Sequence, residues 1–444
     1  MSDATHHTII ARSTAAGRAG IAVIRLSGPA VGAVLRGMAG SLPPARQAQL
    51  TRLRVPGSGE PIDQALVLWF PGPRSFTGED MAELQVHGGE AVVMACLEAA
   101  LAVDGVRLAE PGEFSRRAFL DGKLDLTEAE GLADLIGAET EAQRRQALRQ
   151  LDGALGILYG DWRARLINAL AHVEAVLDFA DEALPDDLLS SAAPVVAEVA
   201  QEMAAHLDDG RRGERLRSGL LVAVVGPPNV GKSSIINILA NRNVAIVSPM
   251  AGTTRDVVEA HLDLGGVPVV MADTAGLREG GGAIEAEGVR RARARAEAAD
   301  LVLAVFEATT AGNLDANTLS VVGEEAMIVL NKSDLVAGAL PSEIAGRATI
   351  ATSCRTGQGI DALTAAIAGA GQTVGGEGAP LTRARHRDAV TACSVSLVRF
   401  AEAEAPELAA ENLRQAVRSL GRITGRVDVE DILDAIFAEF CIGK

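Results

Sequence analysis

The string GPPNVGKS, residues 226–233, has the composition and spacing of a phosphate-binding loop. It follows the apolar run LLVAVV and precedes SIINILA, so a strand would end in a glycine-rich loop that opens a helix. Glycines let successive backbone N–H groups turn towards phosphate oxygens. Lys232 would reach the terminal phosphates, and the Ser233 hydroxyl would bind Mg²⁺. Because a chance glycine turn can match such a string, the neighbouring motifs decide its interpretation.

Two later strings indicate which base the nucleotide carries. NKSD (331–334) ends the apolar run AMIVL, and the carboxylate of Asp334 can accept both N–H groups on the edge of guanine. Adenine lacks that pair of donors, so the string favours GTP over ATP. SCR (353–355) follows the next apolar run and would contact the base from the other side.

Two further strings stand where the terminal phosphate and its metal ion need them. DTAG (273–276) ends the run VPVVMA, where Asp273 can hold Mg²⁺ through water and a glycine N–H can sense the γ-phosphate. GTTRD (252–256) lies between this string and the phosphate loop, where a switch loop would present a threonine to Mg²⁺. In chain order the five motifs are 226–233, 252–256, 273–276, 331–334 and 353–355. Together they predict a GTP site.

The elements that must position these motifs form a β/α alternation from about residue 217 to 380, which predicts a mostly parallel sheet. Residues 1–123 mix short apolar runs with glycine and proline and predict a small α+β domain. Residues 124–216 and 381–444 show helical periodicity, so we predict one helical domain in two segments with the α/β domain inserted between them. Leucines, together with Trp162 and Val173, recur every three or four residues from Leu148 to Leu177 and predict one helix face. Pro185 and Pro194 are expected to bracket a break.

Composition excludes several classes of protein. The 444 residues carry a net charge of −17 and only 3% aromatic side chains, which disfavours a chain that coats nucleic acid or stacks on its bases. The four cysteines are scattered without zinc or disulfide spacing. We find neither a secretory signal nor an apolar run of membrane-spanning length, and we expect a cytoplasmic protein.

Beyond the GTP motifs, FTGEDMAELQVHGG (76–89), PGEFSRRAFLDGKLDL (111–126) and the terminal CIGK (441–444) resemble the family of tRNA modification GTPases called MnmE or TrmE, over essentially the whole chain. The resemblance implies a Ras-like GTPase domain and an N-terminal domain that binds tetrahydrofolate and forms a homodimer. It also implies an FAD-dependent partner (MnmG or GidA), with which the family forms a heterotetramer. Together they modify carbon 5 of the wobble uridine of certain tRNAs, with a one-carbon unit from 5-formyl- or methylene-tetrahydrofolate.

The resemblance also assigns roles in GTP hydrolysis. Leu277 follows DTAG, where many small GTPases carry a glutamine that orients water, and no arginine finger is evident. The family pattern implies that K⁺ supplies the missing positive charge, and we choose Glu285 by register to orient the water, with Glu279 and Glu287 as the competing choices. The metal ligands implied are Ser233 and Thr254 for Mg²⁺ and Asn229, Ser248, Met250 and Thr253 for K⁺.

Asn229 has an alternative role as a turn residue that caps its own loop. The predicted GTP-binding residues are Asn229, Val230, Gly231, Lys232, Ser233, Ser234, Ser248, Pro249, Met250, Ala251, Gly252, Thr253, Thr254, Asp273, Thr274, Ala275, Gly276, Asn331, Lys332, Ser333, Asp334, Ser353, Cys354 and Arg355.

The family's folate-binding positions fall on Arg25, Glu83, Lys123 and Lys444. A carboxylate suits the N–H donors of a pterin, and cations suit the anionic glutamate tail. Without the resemblance, Arg25 and Lys123 could be ordinary solvated residues. Cys441 is a candidate catalytic nucleophile or base, or a small residue that packs at a helix end.

His87 is expected to form a hydrogen bond within its glycine turn rather than to act on a ligand. The neighbouring Val86 stands where the family often has glycine, which puts the local backbone in question.

The alternative function is an RNA-binding GTPase switch in ribosome assembly, which shares the GTP motifs but performs no modification. Residues 124–216 hold 8 basic and 19 acidic side chains, a net −11, so we expect tRNA to avoid that segment. Arginines that could face tRNA, or could instead pair with the acidic helices, are Arg383, Arg385, Arg387, Arg414 and Arg418.

Overall fold

The computed structural model describes residues 7–178, 188–242, 259–273, 293–294, 296–321, 323, 326–371, 380–427, 430–438, 440 and 442–443. The chain divides into two compact units. The first contains Met1–Ala133, Gln150–Ile167 and Arg414–Lys444, and the second contains Asp134–Arg149 and Asn168–Leu413. The boundaries of the predicted domains stay a prediction. Among the helices of the described ranges, none is both long and apolar enough to cross a membrane.

The elements alternate in the N-terminal and central parts and are helical elsewhere. The N-terminal part contains β1 (Thr8–Arg12), β2 (Ala19–Ser27), α1 (Val31–Ala39), β3 (Gln49–Arg54), β4 (Pro61–Phe70), β5 (Met81–Gly88), α2 (Glu90–Leu101), β6 (Val106–Leu108) and α3 (Glu113–Leu120). Helices follow as α4 (Leu126–Ile136), α5 (Glu141–Leu151), α6 (Ala154–Asp178), α7 (Leu188–Leu207) and α8 (Arg212–Ser218). The central part contains β7 (Leu220–Val225), α9 (Lys232–Arg242), β8 (Glu259–Leu264), β9 (Val267–Asp273), β10 (Leu301–Glu307), α10 (Ala316–Val321), β11 (Met327–Asn331), β12 (Glu343–Ile344), β13 (Arg347–Ala351) and α11 (Ile360–Gly371). The last helices are α12 (Ala384–Ala401), α13 (Pro406–Thr424) and α14 (Glu430–Ala438).

The N-terminal sheet has the order β3-β4-β5-β2-β1-β6 and is antiparallel except for the β1–β6 pair. Alternate residues of its strands are buried beneath α1 and α2, among them Ile24, Val67 and Leu84. This period of two leaves the intervening residues on the opposite face, where Arg25 and Glu83 lie. The predicted α+β architecture is confirmed.

The central sheet has the order β12-β13-β11-β10-β7-β9-β8. Strands β7, β9, β10, β11 and β13 run parallel, while β8 and β12 are antiparallel edge strands. The predicted mostly parallel sheet is therefore confirmed. Because parallel strands share one carboxyl edge, the motifs that follow β7, β11 and β13 meet at that edge.

Two expectations about the helices need correction. The leucine periodicity from 148 to 177 spans two helices, because Gly153 adopts a left-handed φ of +85° between α5 and α6. Pro194 lies inside α7, which begins at Leu188, so the expectation that Pro194 bounds the break is wrong, while Pro185 lies outside the described residues. Proline removes only its own N–H donor, and the buried Val196, Val199 and Met203 recur at helical spacing beyond it.

Candidate functional site

The phosphate loop joins β7 to α9 and has the backbone that its glycines require. Gly226 and Gly231 have φ of +154° and +97°. A Cβ at Gly226 would collide with Val305 O, and a Cβ at Gly231 would collide with Asn331 Nδ2. Asn229, between them, has φ of +61°. Lys232 is buried, and its Nζ donates to Gly226 O at 2.9 Å and Pro227 O at 2.8 Å. The ammonium therefore lies within the loop where phosphate oxygens would replace these carbonyls.

The base-recognition motif is tied to the phosphate loop through Asn331. This side chain is 2% exposed, and its Nδ2 donates to Val230 O at 2.8 Å. The Asp334 carboxylate accepts the Ser353 hydroxyl at 2.6 Å and lies 3.1 Å from Arg355 Nε. The hydrogen bond from Ser353, and next the charge of Arg355, hold the pKa of Asp334 below its ordinary value. The carboxylate is thus ionised and ready to accept the N–H groups of guanine.

A cavity of about 690 Å³ opens between these motifs. Its lining includes Asn229, Gly231, Ser234, Asn331, Lys332, Asp334, Cys354 and Arg355, all of which were predicted to bind GTP. Asn237, Ile238 and Asn241 of α9 and Leu335 also line it and were missed. The structure therefore brings the phosphate and base motifs to one cavity.

Glu307 is a further residue of this site that sequence reasoning missed. Its carboxylate accepts Lys332 Nζ at 2.7 Å and Thr309 Oγ1 at 2.9 Å. The hydrogen bond from Lys332, followed by that from Thr309, lowers the pKa of Glu307. The signal that could have found it is its place at the carboxyl end of β10, on the edge where the motifs lie.

Several predicted residues lie outside the described part of the chain. Asp273 ends β9 as expected, but its side chain is among the parts not described. Among the described residues, no cluster of His, Cys, Asp and Glu could hold a metal ion. The predicted residues outside the described ranges are Ser248, Pro249, Met250, Ala251, Gly252, Thr253, Thr254, Thr274, Ala275, Gly276, Glu285, Cys441 and Lys444.

In the N-terminal sheet, Arg25 and Glu83 are direct neighbours on β2 and β5. Arg25 donates from Nε and Nη2 to Glu83 Oε1 at 3.1 and 2.9 Å, and both side chains are about one-fifth exposed. The guanidinium carbon lies 5.8 Å from the ring centre of Phe76 and 5.9 Å from that of Phe114. Lys123 is exposed in the turn after α3. The arrangement offers a cation and a carboxylate side by side on a half-buried surface.

The described residues of the C-terminal tail contact the same domain. Ile442 forms a bridge with Pro111, and Gly443 O accepts the Ser13 hydroxyl at 2.9 Å. A Cβ at Gly443 would collide with Arg12 O. Since Ala11 lies opposite Arg25 in the strand register, these contacts are close in register to the Arg25–Glu83 pair.

His87 does not bond within its glycine turn, as had been expected. Its backbone N–H and its ring Nδ1 both reach the carboxylate of Asp63 on β4, each at 2.8 Å. Sequence could not show this contact because it depends on the pairing of two strands. Val86, whose backbone was in question, is buried in regular β5.

Two arginines of the C-terminal segment are held in ion pairs. Arg383 lies 2.9 Å from Asp134, and Arg387 lies 2.6 Å from Asp209 and 2.8 Å from Glu214. For these two residues, the interpretation that they pair with acidic helices is confirmed.

Comparison with known proteins covers nearly the whole chain. A family model described as the GTP-binding protein TrmE N-terminus matches residues 8–123, and one described as the MnmE helical domain matches residues 126–441. The tRNA modification GTPase MnmE of Paramagnetospirillum magneticum is 57% identical over 98% of this chain and 99% of its own. The human mitochondrial 5-taurinomethyluridine-[tRNA] synthase subunit GTPB3 is 51% identical over 98% of this chain and 93% of its own.

Two similar solved structures each cover part of the chain. The G domain of FeoB from Methanococcus jannaschii is 24% identical, covers 34% of this chain and 98% of its own, and has a TM-score of 0.27. A variant of Era from Aquifex aeolicus, bound to GDP and AlF4⁻, is 27% identical, covers 42% of this chain and 69% of its own, and has a TM-score of 0.25.

Proposed function

The chain belongs to the MnmE (TrmE) family of tRNA modification GTPases, and from this premise we propose a K⁺-stimulated GTP hydrolase that modifies carbon 5 of the wobble uridine of certain tRNAs. In this proposal an FAD-dependent partner of the MnmG type completes the enzyme, and a tetrahydrofolate donates the one-carbon unit. The modification reaction takes place in the cytoplasm. The observation that supports the folate-dependent part is the Arg25–Glu83 pair, because two of the family's folate-binding positions meet there as a cation and a carboxylate on a half-buried surface.

In the GTP site, Lys232 exchanges its two loop carbonyls for phosphate oxygens, and Asp334 accepts the guanine edge. Ser233 and Thr254 hold Mg²⁺, with Asp273 acting through water. Held there, the ion would supply positive charge beside the β- and γ-phosphates. The cavity that joins the phosphate and base motifs supports this assignment.

For hydrolysis, Leu277 offers no hydrogen bond to the attacking water, so Glu285 takes that role. Asn229, Ser248, Met250 and Thr253 hold K⁺, which supplies positive charge beside the phosphates. Asn229 lines the nucleotide cavity, which supports its place in such a site. The test compares turnover in K⁺ and in Na⁺ at equal ionic strength. A higher rate in K⁺, lost in Asn229→Ala, is expected, and equal rates would contradict the cation role.

In the folate site, Glu83 accepts pterin N–H groups, Arg25, bonded to Glu83 at 2.9 Å, contacts the same end of the ligand, and Lys123 and Lys444 bind the glutamate tail. Cys441 takes part as a nucleophile or base. The bridge between Ile442 and Pro111 and the hydrogen bond from Ser13, just after β1, to Gly443 O support a tail that reaches this site. Calorimetry with 5-formyltetrahydrofolate is the direct test. Glu83→Gln should weaken binding, while Glu60→Gln, an exposed control, should not.

Cys441 has its own test in tRNA modification. A Cys441→Ser variant that supports full modification would reduce this residue to packing.

Homodimerisation through the N-terminal domain is supported by its sheet. Leu50 and Leu66 are direct neighbours on β3 and β4, yet they are 61% and 39% exposed. An apolar pair on an open sheet face suits burial against a second copy. Leu66→Arg should shift the light-scattering mass from dimer to monomer, and Gln64→Arg is the matched control on the same strand and face.

Nucleoside mass spectrometry on cells that lack the protein separates the proposal from the ribosome-assembly switch. We expect loss of the modified wobble uridine. Intact wobble nucleosides together with defective ribosomal subunits would favour the switch.

A further inference from the structure

The guanidinium of Arg25 is enclosed by groups from three separate segments. Glu83 of β5 binds it, and the rings of Phe76 and Phe114 lie 5.8 and 5.9 Å from its carbon. Phe114 is fully buried on α3, whereas Phe76 is on the loop between β4 and β5. Cations are attracted to the faces of aromatic rings at this range. The direction of Arg25 therefore depends on how that loop and α3 are held together.

Arg117 joins the two segments that carry the rings. It is on α3, only 5% exposed, and its Nη1 donates to both carboxylate oxygens of Glu79 in the loop, at 3.1 and 2.9 Å. Its Nη2 donates to Glu113 at 3.0 Å and to His7 O at 3.0 Å. A planar guanidinium can make these bonds at once because its donors form a rigid fork.

The carboxylates that hold Arg117 are themselves anchored. Glu79 also accepts the Ser27 hydroxyl at 2.6 Å, two residues after Arg25 on β2. Burial alone would raise the pKa of Glu113, but hydrogen bonds from Arg107, the Glu110 N–H and Arg117 outweigh it and lower that pKa. The network thus connects β2, the loop and α3 through hydrogen bonds and ion pairs.

A buried ion network is an inefficient way to gain stability, because apolar packing of the same volume often does as well. What the network adds is a fixed orientation of the Arg25 side chain. We infer that Arg117 is a positioning residue for the folate site, which holds Phe76 and Phe114 around Arg25 so that the Arg25–Glu83 pair points at the ligand. The inference rests on the proposed folate function.

The first experiment needs no folate. In protein labelled with ¹⁵N-arginine, the Nε–Hε signal of Arg25 is identified by its loss in Arg25→Lys. Phe76→Leu should move this signal because it removes one ring, and Phe70→Leu is the matched control from the same apolar cluster. Arg117→Lys keeps the charge but not the fork, so it should move or broaden the signal. Should Arg117→Lys fail to fold, Glu79→Gln weakens the same connection from the other side. An unmoved Arg25 signal in the folded Arg117 or Glu79 variant overturns the inference.

The second experiment measures 5-formyltetrahydrofolate binding by calorimetry. Arg117→Lys and Phe76→Leu should each weaken binding roughly tenfold, while Phe70→Leu and the affinity for GTP should stay unchanged. Equal losses in Phe76→Leu and Phe70→Leu would mean a general packing effect and overturn the inference. If the unsubstituted protein binds no folate, the proposed function fails and the ligand part of the inference with it. The arginine signal then still decides whether Arg117 positions Arg25.

Discussion

The Asp334 carboxylate and the Ser353 hydroxyl are joined by a hydrogen bond of 2.6 Å, although they follow two different strands, β11 and β13. This bond leaves the carboxylate oriented and ionised, with its pKa lowered first by Ser353 and then by Arg355. A group with a lowered pKa loses its charge only below the ordinary range. Recognition of guanine through Asp334 should therefore persist into mildly acidic solution.

Replacement of Asp334 by asparagine should change which base is accepted. An amide offers one donor and one acceptor, so it opposes the two N–H groups of guanine but matches xanthine, which has a carbonyl in place of the amino group. We expect Asp334→Asn to weaken GTP binding roughly a hundredfold and to improve binding of xanthosine triphosphate. Fluorescent-nucleotide competition measures both. Asp361→Asn, at an exposed position on α11, is the control, and an unchanged base preference in Asp334→Asn would contradict the assignment.

Glu307 should act on the nucleotide through Lys332. Without the carboxylate that binds its Nζ at 2.7 Å, Lys332 is less well held beside the base. Because both side chains are about one-third exposed, the effect should be small, a two- to fivefold loss of affinity in Glu307→Gln. The loss should be the same for GDP and GTP, since Lys332 belongs to the base motif. Glu343→Gln on β12 is the control and should leave nucleotide affinity unchanged. A loss of affinity in Glu307→Gln that is confined to GTP would instead place Glu307 near the γ-phosphate.

A residue of this site could be predicted from the sequence when its role depends only on its neighbours in the sequence. The strings around Lys232 and Asp334 could be predicted because a few adjacent residues at the end of a strand carry all their chemistry. Glu307 could not, because its role exists only once β10 and β11 are neighbours. The bond from His87 to Asp63 likewise spans 24 residues and depends on strand register.

The fold shows the same division. The alternation of the central sheet and the helical segments could be predicted from hydrophobic period alone. The interruption at Gly153 could not, because the leucine spacing continues through it in sequence while its backbone turns left-handed. The resemblance assigns Arg25 and Glu83 to folate binding separately, and only the strand pairing explains why these residues, 58 positions apart, meet.

Cys354 should report on occupancy of the guanine cavity. It lines the cavity, and burial raises the pKa of its thiol, while burial raises the pKa of Cys96 and Cys393 to about 12. In a Cys441→Ser background, maleimide should label Cys354 faster than Cys96 or Cys393. Since the thiolate reacts, labelling should rise about tenfold per pH unit below that pKa. GDP at ten times its Kd should slow labelling about tenfold, and ATP should not. A rate indifferent to GDP would show that the thiol is outside the nucleotide site.

His206 should make the folded state sensitive to acid. It is half-buried near the end of α7, where burial lowers its pKa to about 4, Asp209 opposes the shift, and Arg387 and His386 add to it. In the unfolded chain a histidine has a pKa of about 6.5. Between pH 6.5 and 4 the unfolded state therefore binds a proton at His206 that the folded state does not bind. The contribution of His206 to the free energy of unfolding is therefore fully present above pH 6.5. It is lost as the pH is lowered, by up to about 3 kcal/mol. Urea unfolding followed by circular dichroism at pH 7.5 and 4.5 measures it. The loss on acidification should be smaller in His206→Gln than in the unsubstituted protein, and unaltered in His7→Gln, whose side chain is exposed. Equal losses in both variants would mean that His206 takes up its proton as readily in the folded chain as in the unfolded one.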